Sequence, residues 1–420
     1  MTPSSAPPKV TPSVAPPSMD ERVSVTMAWR KSGTRARVFL VAWCLLLIVP
    51  AAIMYRVLVD QQRLNVQQTI ERHEARMSGA EPSQTIAERS PPPGHEADVP
   101  AIVKVGMYVD RIPEFSVVTS TWKADFYLWF LWDHEGLNPG ETFQIVNGET
   151  VSRTLLRKSE NGKEHYALYR VTAEITKSFD VARFPRDEHM LTISIEDQAA
   201  QSYQLRYVSD RGSSDISSRV TVPGYRISDV LTAVKPHSYK TSMGDPALPA
   251  DYKATYSEFL MGISIERSSW GLFLKMFVAL YISVALALAG LLLDSAGERL
   301  ALGGTALFVA IMNAESIATL TPDTGTSTLG DVVGSVGYLT IGVLIVQAII
   351  SHKYFSRENA NRHVGYLFDW ATLVLLTTLF VGTNVGVLSA ATSDATAHLA
   401  LTSAKARATH AAPPAGETAK

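Results

Sequence analysis

The last third of the chain carries four closely spaced apolar runs, and they constrain everything else. They are Leu272–Leu293, Leu300–Leu320, Val332–Ile350 and Leu367–Leu388. A helix of about 20 residues crosses the hydrocarbon core of a bilayer, and each run is close to that length. Four such runs in succession read as a membrane bundle rather than as buried helices of a soluble protein. Only Lys275 interrupts the first run; the second is amphipathic, rich in small residues, and holds Asn313 and Glu315. A fifth run, Val38–Tyr55, stands near the other end of the chain.

Composition matters here because its averages hide this split. Of 420 residues, 46% are apolar and 19% charged, but the charge is concentrated before residue 268 and the apolar residues after it. A formal net charge of −2 offers no broad basic surface, which argues against a nucleic-acid partner. Cys44 is the single cysteine, so no intrachain disulfide can form and the polar half must be held by packing.

Basic residues in short loops set an expected topology. Arg30, Lys31, Arg35 and Arg37 precede the first run, and His352, Lys353, Arg357, Arg362 and His363 lie between the last two. Both segments read as cytoplasmic, and the number of crossings between them agrees. The large polar domain then lies outside the cytoplasm. A cleaved signal peptide is the competing reading of Val38–Tyr55, with Pro50-Ala51-Ala52 in its favour. The long preceding tail and the length of the run favour an uncleaved anchor.

Residues 100–268 alternate with period two: Val103, Val105, Met107 and Val109; Phe126, Leu128, Phe130 and Trp132; Leu191, Ile193 and Ile195; Phe259, Met261, Ile263 and Ile265. With turn residues between the runs, this predicts an all-β, immunoglobulin-like antiparallel sandwich. The expected organisation is a disordered cytoplasmic tail at 1–37, an anchor at 38–59 and a Pro-rich linker at 60–99. The sandwich at 100–268 and a membrane domain at 269–390 follow, with helices near 272–293, 298–320, 329–351 and 366–389. A second disordered tail occupies 391–420.

Four local motifs follow one another in a recognisable order. They are Phe179-Asp180-Val181-Ala182-Arg183-Phe184-Pro185-Arg186-Asp187, ahead of a strand that ends in Glu196-Asp197; the strand Asp125–Asp133; Arg267 before the first bundle helix; and Gly297-Glu298-Arg299-Leu300 opening the second, with Pro322 beyond it. In these the chain resembles the bacterial pentameric ligand-gated ion channels, members of the Cys-loop receptor superfamily that lack the loop cysteines. The resemblance covers about residues 100–390. Two departures stand out: the first bundle helix has Lys275 and no proline, and the N-terminal helix is an addition.

The resemblance implies a homopentamer in the bacterial inner membrane with a periplasmic ligand-binding domain. Stepping along the second bundle helix by four and three gives Ala301, Thr305, Phe308, Met312, Ser316 and Thr319 as the pore face. Phe308 and Met312 would form an apolar constriction that gates by dewetting. Glu298 at the cytoplasmic mouth would form a carboxylate ring selecting monovalent cations. Anion channels of the family carry an extra Pro-Ala at this point, and this chain does not. Phe184, Pro185, Asp187 and Arg267 are the expected coupling residues between sandwich and pore. Tyr127 and Trp129 on one face, with Tyr252 and Tyr256 on the opposite face, are the expected ligand contacts, and they suit an amine through cation–π attraction. His165 and His189 allow proton gating instead.

No His-Glu-x-x-His spacing or Gly-x-Ser-x-Gly elbow is present, and Asp187 with His189 makes a pair without a third catalytic partner, so enzyme activity, a cofactor and a metal are not expected. The alternative to a channel is a non-conducting membrane sensor of the same fold. Lipid surrounds the chain in either case.

Overall fold

A computed structural model describes residues 25–77, 91–355 and 362–392, apart from positions 93, 96, 97, 245, 247, 250, 251, 268, 269 and 324. Two helices come first, α1 (Val25–Lys31) and α2 (Thr34–Met77). The β region comprises β1 (Ala101–Ser116), β2 (Thr121–Trp132), a single helical turn α3 (Pro139–Thr142), β3 (Phe143–Ile145), β4 (Gly148–Asn161), β5 (Glu164–Thr176), β6 (Glu188–Asp197), β7 (Leu205–Ser209), β8 (Asp215–Ile216), β9 (Tyr225–Ser238) and β10 (Thr255–Arg267). Four helices follow: α4 (Gly271–Gly290), α5 (Ala296–Ala318), α6 (Leu329–Phe355) and α7 (Arg362–Thr392).

The strands form two sheets. One runs β4-β5-β2-β1-β7, with β8 also on β1; the other runs β3-β6-β10-β9. The period-two residues face each other between them: Val103, Val105, Met107, Val109, Phe126, Leu128 and Phe130 from one sheet, Leu191, Ile193, Ile195, Phe259, Met261 and Ile263 from the other, all 0% exposed. Fully burying one such side chain contributes about 1.5–3 kcal/mol, which is how a sandwich without a disulfide holds together.

The expected all-antiparallel arrangement needs one correction. β7 and β8 pair with β1 in parallel, Ala101 opposite Leu205 and Tyr108 opposite Asp215. A parallel pair cannot be joined by a hairpin, and here the chain passes through β6 of the second sheet before β7 returns beside β1.

Among the described residues, five helices are long and apolar enough to cross a membrane: α2, α4, α5, α6 and α7. Their sandwich-facing ends alternate along the chain. The C-terminal part of α2, the N-terminus of α4, the N-terminus of α6 and the C-terminus of α7 all meet the β region. Lys275 is exposed one turn into α4, close enough to the helix end for a flexible lysine to keep its charge in water while its stem covers apolar surface.

The first 99 residues differ from expectation. Residues 25–31 are helical, and Ala28 packs in a cluster with Leu40, Trp43, Leu367 and Phe368, so the segment 1–37 is not wholly a tail. The anchor does not stop at 59. α2 runs unbroken through 44 residues, about 66 Å at 1.5 Å per residue and twice the hydrocarbon thickness. Residues 60–77, expected as linker, are therefore helix. Their buried stripe Val59, Gln62, Val66, Thr69 and His73 explains why. Spacings of three and four put one face of this extension against protein. Residues 78–90 and 393–420 lie outside the described residues.

α2 is docked along α7 at two levels. Trp43 Nε1 donates to Thr372 Oγ1 at 3.0 Å. Further along, the Tyr55 ring lies on Gly386, where a Cβ would collide with it. Gly386→Ala is expected to destabilise the chain by about 1–3 kcal/mol through overpacking. A thermal melt of the detergent-solubilised protein checks this, and Tyr55→Ala in the same chain should recover part of the loss.

Candidate functional site at the domain boundary and along α5

The loop 177–187 leaves β5 and enters β6 at the membrane end of the sandwich. Its carbonyls and side chains satisfy helix ends that would otherwise be orphaned. Leu329 N–H donates to Ala182 O at 2.9 Å and Gly330 N–H to Phe184 O at 3.1 Å, which caps the start of α6. Arg183 donates to Ala391 O from Nε at 3.3 Å and from a terminal nitrogen at 2.9 Å, capping the end of α7 with positive charge, as the helix dipole favours. Arg183 also pairs with Glu188 at 3.1 Å, both buried. The loop is thus bonded to two membrane helices at once.

Asp187 is 1% exposed and sits at the centre of this boundary. It accepts from Arg267 Nε at 2.6 Å, from His189 Nε2 at 2.7 Å and from the Tyr225 hydroxyl at 2.7 Å. Burial alone would raise its carboxyl, but His189 and Arg267 override that and hold it well below the usual carboxylate range. Burial, with the Asp187 charge beside it, pushes the Tyr225 phenol up. Arg267 lies over the rings of Phe184 at 5.1 Å and Tyr225 at 4.3 Å. Of the expected coupling residues, Phe184, Asp187 and Arg267 are thus in one cluster, and Pro185 joins Phe184 to it in the chain.

One member of that cluster, Tyr225, is not singled out by the sequence, which marks His189 as a candidate proton sensor and as a lone pair with Asp187, not as a coupling residue. Asp187 and His189 share one face of a strand entry by their spacing of two, which was the available signal. They are not a pair without partners, as their sequence alone suggested: Arg267 and Tyr225 complete the network. Glu266 takes Arg226 as its partner and leaves Arg267 to Asp187.

The added helix reaches the same loop. Arg72 of α2 is ion-paired with Asp180. Burial raises the Asp180 carboxyl, and the Ala182 N–H and Arg72 more than offset this, so it lies below its ordinary value.

α5 separates its residues by face. Gly303, Ala306, Ala310 and Ile317 are buried against the bundle. Ala301, Thr305, Phe308, Met312, Ser316 and Thr319 are all exposed, with Phe308 at 65% and Met312 at 51%. Only 22% of the apolar window of α5 is buried, against 39% for α4 and 50% for α6. The hydroxyls on this face donate back to the helix, Thr305 to Ala301 O at 2.9 Å and Ser316 to Met312 O at 3.0 Å, so each is satisfied in place. Glu298 is exposed in the first turn, and its N–H faces Ser295 Oγ at 3.5 Å. Glu315 is exposed on the same side as Met312, and Asn313 is half-buried.

Arg299 faces away from Glu298. It donates to Leu293 O at 2.7 Å and to Asp369 Oδ2 at 2.8 Å, and Asp369 also accepts from Gln347 at 2.6 Å and Ser351 at 3.1 Å. A paired, hydrogen-bonded cation is the tolerable form of a charge inside a bundle. Asp369 is a further residue that sequence reading passed over.

The aromatic candidates fall into two groups on different sheets. Tyr127 and Trp129 project from β2 into a groove of about 480 Å³ with Tyr108, Tyr166 and Asp210. Trp129 Nε1 donates to Asp210 at 3.2 Å, its ring lies over Gly106 on the neighbouring strand, and Arg170 stands 5.7 Å from the Tyr127 ring. Lys104 pairs with Asp210 at 3.0 Å. Tyr252 and Tyr256 belong to the β9–β10 side. Tyr252 donates to Gln201 at 3.0 Å, and Tyr256 meets the edge of Tyr239 at 5.6 Å. A single chain does not assemble these four residues into one box. His165 is stacked on Trp132 at 5.4 Å, away from the boundary network.

No protein-family model matches the chain, and no curated protein matches it.

Proposed function

We propose that this chain is a subunit of a pentameric ligand-gated ion channel, with an immunoglobulin-like periplasmic domain above a pore in the bacterial inner membrane. The observation that carries the reading is the face of α5. A membrane helix that leaves Glu315 exposed on the side of Phe308 and Met312, along a face that also carries Thr305, Ser316 and Thr319, needs water or a second copy against it, because lipid cannot solvate the carboxylate. A ring of identical subunits supplies both. Glu298 at the mouth supports cation selectivity, with Arg299 turned into the bundle and unable to cancel its field.

The loop 177–187 would carry the signal, since it bonds to β10 through Asp187–Arg267 and to α6 and α7 through backbone carbonyls. Two aromatic half-sites on different sheets suit a ligand held between neighbouring subunits, one contributing Tyr127 and Trp129, the next Tyr252 and Tyr256. The ligand class is an amine, by cation–π attraction, with protons as the other agonist to test.

The test joins mass and flux. The detergent complex should weigh five chains by light scattering, and planar bilayers holding it should pass monovalent cations when amines or pH are scanned. A monomer or dimer would end the pore reading. A pentamer silent under every condition, including the variants described below, would leave the non-conducting sensor.

A further inference from the structure

We infer that Glu196, His237 and Glu258 form a binding site for a divalent transition cation, zinc foremost, on the outer face of the four-stranded sheet. The three residues come from adjacent strands. β10 pairs with β6 on one side and β9 on the other, and Phe259, the residue after Glu258, lies opposite Ile195 and Val234. The core-facing residues of β10 are Phe259, Met261 and Ile263, so Glu258 points to the other face. One donor atom from each of Glu196, His237 and Glu258 lies within 4.8 Å of the others. Donors around a tetrahedral zinc stand roughly 3.3 Å apart, given bonds of about 2.0–2.1 Å, so small side-chain rotations close the set.

Burial separates this group from an ordinary acidic surface. Glu196 is 0% exposed and Glu258 6%. Two carboxylates this close and this dry are costly without a cation between them. Lys235 Nζ is ion-paired with Glu258 Oε2 at 3.7 Å and is the cation a metal would displace, while Glu196 meets His237 Nδ1 and accepts from the Tyr239 hydroxyl at 3.0 Å. The donor chemistry also selects the ion. One imidazole and two carboxylates suit zinc with a fourth position left for water, whereas calcium asks for six to eight oxygens. Tyr239 would hold the second oxygen of Glu196 and fix its orientation, the usual role of groups behind a metal ligand. A bound ion would tie β9 to β6 across β10 at the base of the segment that carries Tyr239 and Tyr252. The inference does not depend on the pore reading.

The experiment is a zinc titration of the purified full chain in detergent after removal of metal by chelation, followed calorimetrically and by metal analysis. Wild type should bind about one zinc per chain, and cobalt in its place should give the absorption of a tetrahedral site. His237→Ala and Glu258→Gln should each weaken binding by at least about tenfold, while Asp210→Asn, on the other sheet, leaves it unchanged. Lys235→Gln should tighten it several-fold, by removing the competing cation, and a damaged fold cannot imitate that gain. Zinc retained at full stoichiometry in both ligand variants would overturn the site. So would a wild-type chain that melts normally and binds none.

Discussion

Asp187→Asn is expected to cost the chain about 3–5 kcal/mol, the range for removing one partner from a buried ion pair. The amide keeps the shape of the carboxylate but cannot offset the charge of Arg267, whose side chain is 11% exposed, and it cannot accept from His189, Arg267 and Tyr225 together. The measurement is a denaturant titration followed by tryptophan fluorescence, since Trp122 is wholly buried in the sandwich and reports its unfolding. A loss under about 1 kcal/mol would show that the network is not structural. The pH response has a definite sign. The Asp187 carboxyl in the folded chain lies below its unfolded value, so its contribution is present above about pH 4 and is lost as pH falls further. Glu188 and Glu258 act oppositely. Burial raises both, so each costs stability as pH rises through the usual carboxylate range and beyond. The wild-type profile should therefore fall at the acid end, and Asp187→Asn should flatten that fall.

On the proposed pore reading, Phe308→Ala should raise unstimulated current on the order of tenfold or more, by widening and wetting the constriction that reading assigns to it. Phe308 is 65% exposed in one chain and has little packing to lose within it, so on that reading the effect should come through the pore more than through folding. Met312 lies one turn on, at 51% exposed, and the double variant should open further. In the proposed pentamer, Glu298→Gln would remove five carboxylates from the mouth and should reduce the preference for cations over anions, read as a shift in reversal potential under a salt gradient. Unchanged current in Phe308→Ala, with the pentamer intact, would place the gate elsewhere. Unchanged reversal potential in Glu298→Gln would remove the carboxylate ring from selectivity.

Sandwich and membrane helices were legible in the sequence because their signals are local. Val103, Val105 and Met107 declare a strand by a period of two, and Leu272–Leu293 declares a span by length and apolarity, whatever the rest of the chain does. The exposed face of α5 was legible for the same reason, since spacings of three and four lie within one helix. The extension of α2 to Met77 was partly so: the polar stretch from Gln61 onward favours helix, but its buried stripe only acquires meaning once there is protein to pack against.

Partner choice was not legible. Asp187 meets Arg267 across 80 residues, Arg299 meets Asp369 across 70, and Arg183 reaches Ala391 across 208. Nothing near Asp369 marks it as the counter-charge of Arg299, and nothing near Gly386 shows that Tyr55 lies on it. The parallel return of β7 beside β1, and the meeting of Glu196, His237 and Glu258 from three strands, likewise depend on which sheet each strand joins. By itself the sequence determined the periodicities, the membrane spans and the polar face of α5, because these follow from neighbours along the chain. The tertiary structure alone decided which charges pair, which helix ends are capped and where the donors converge, because those depend on how distant segments pack.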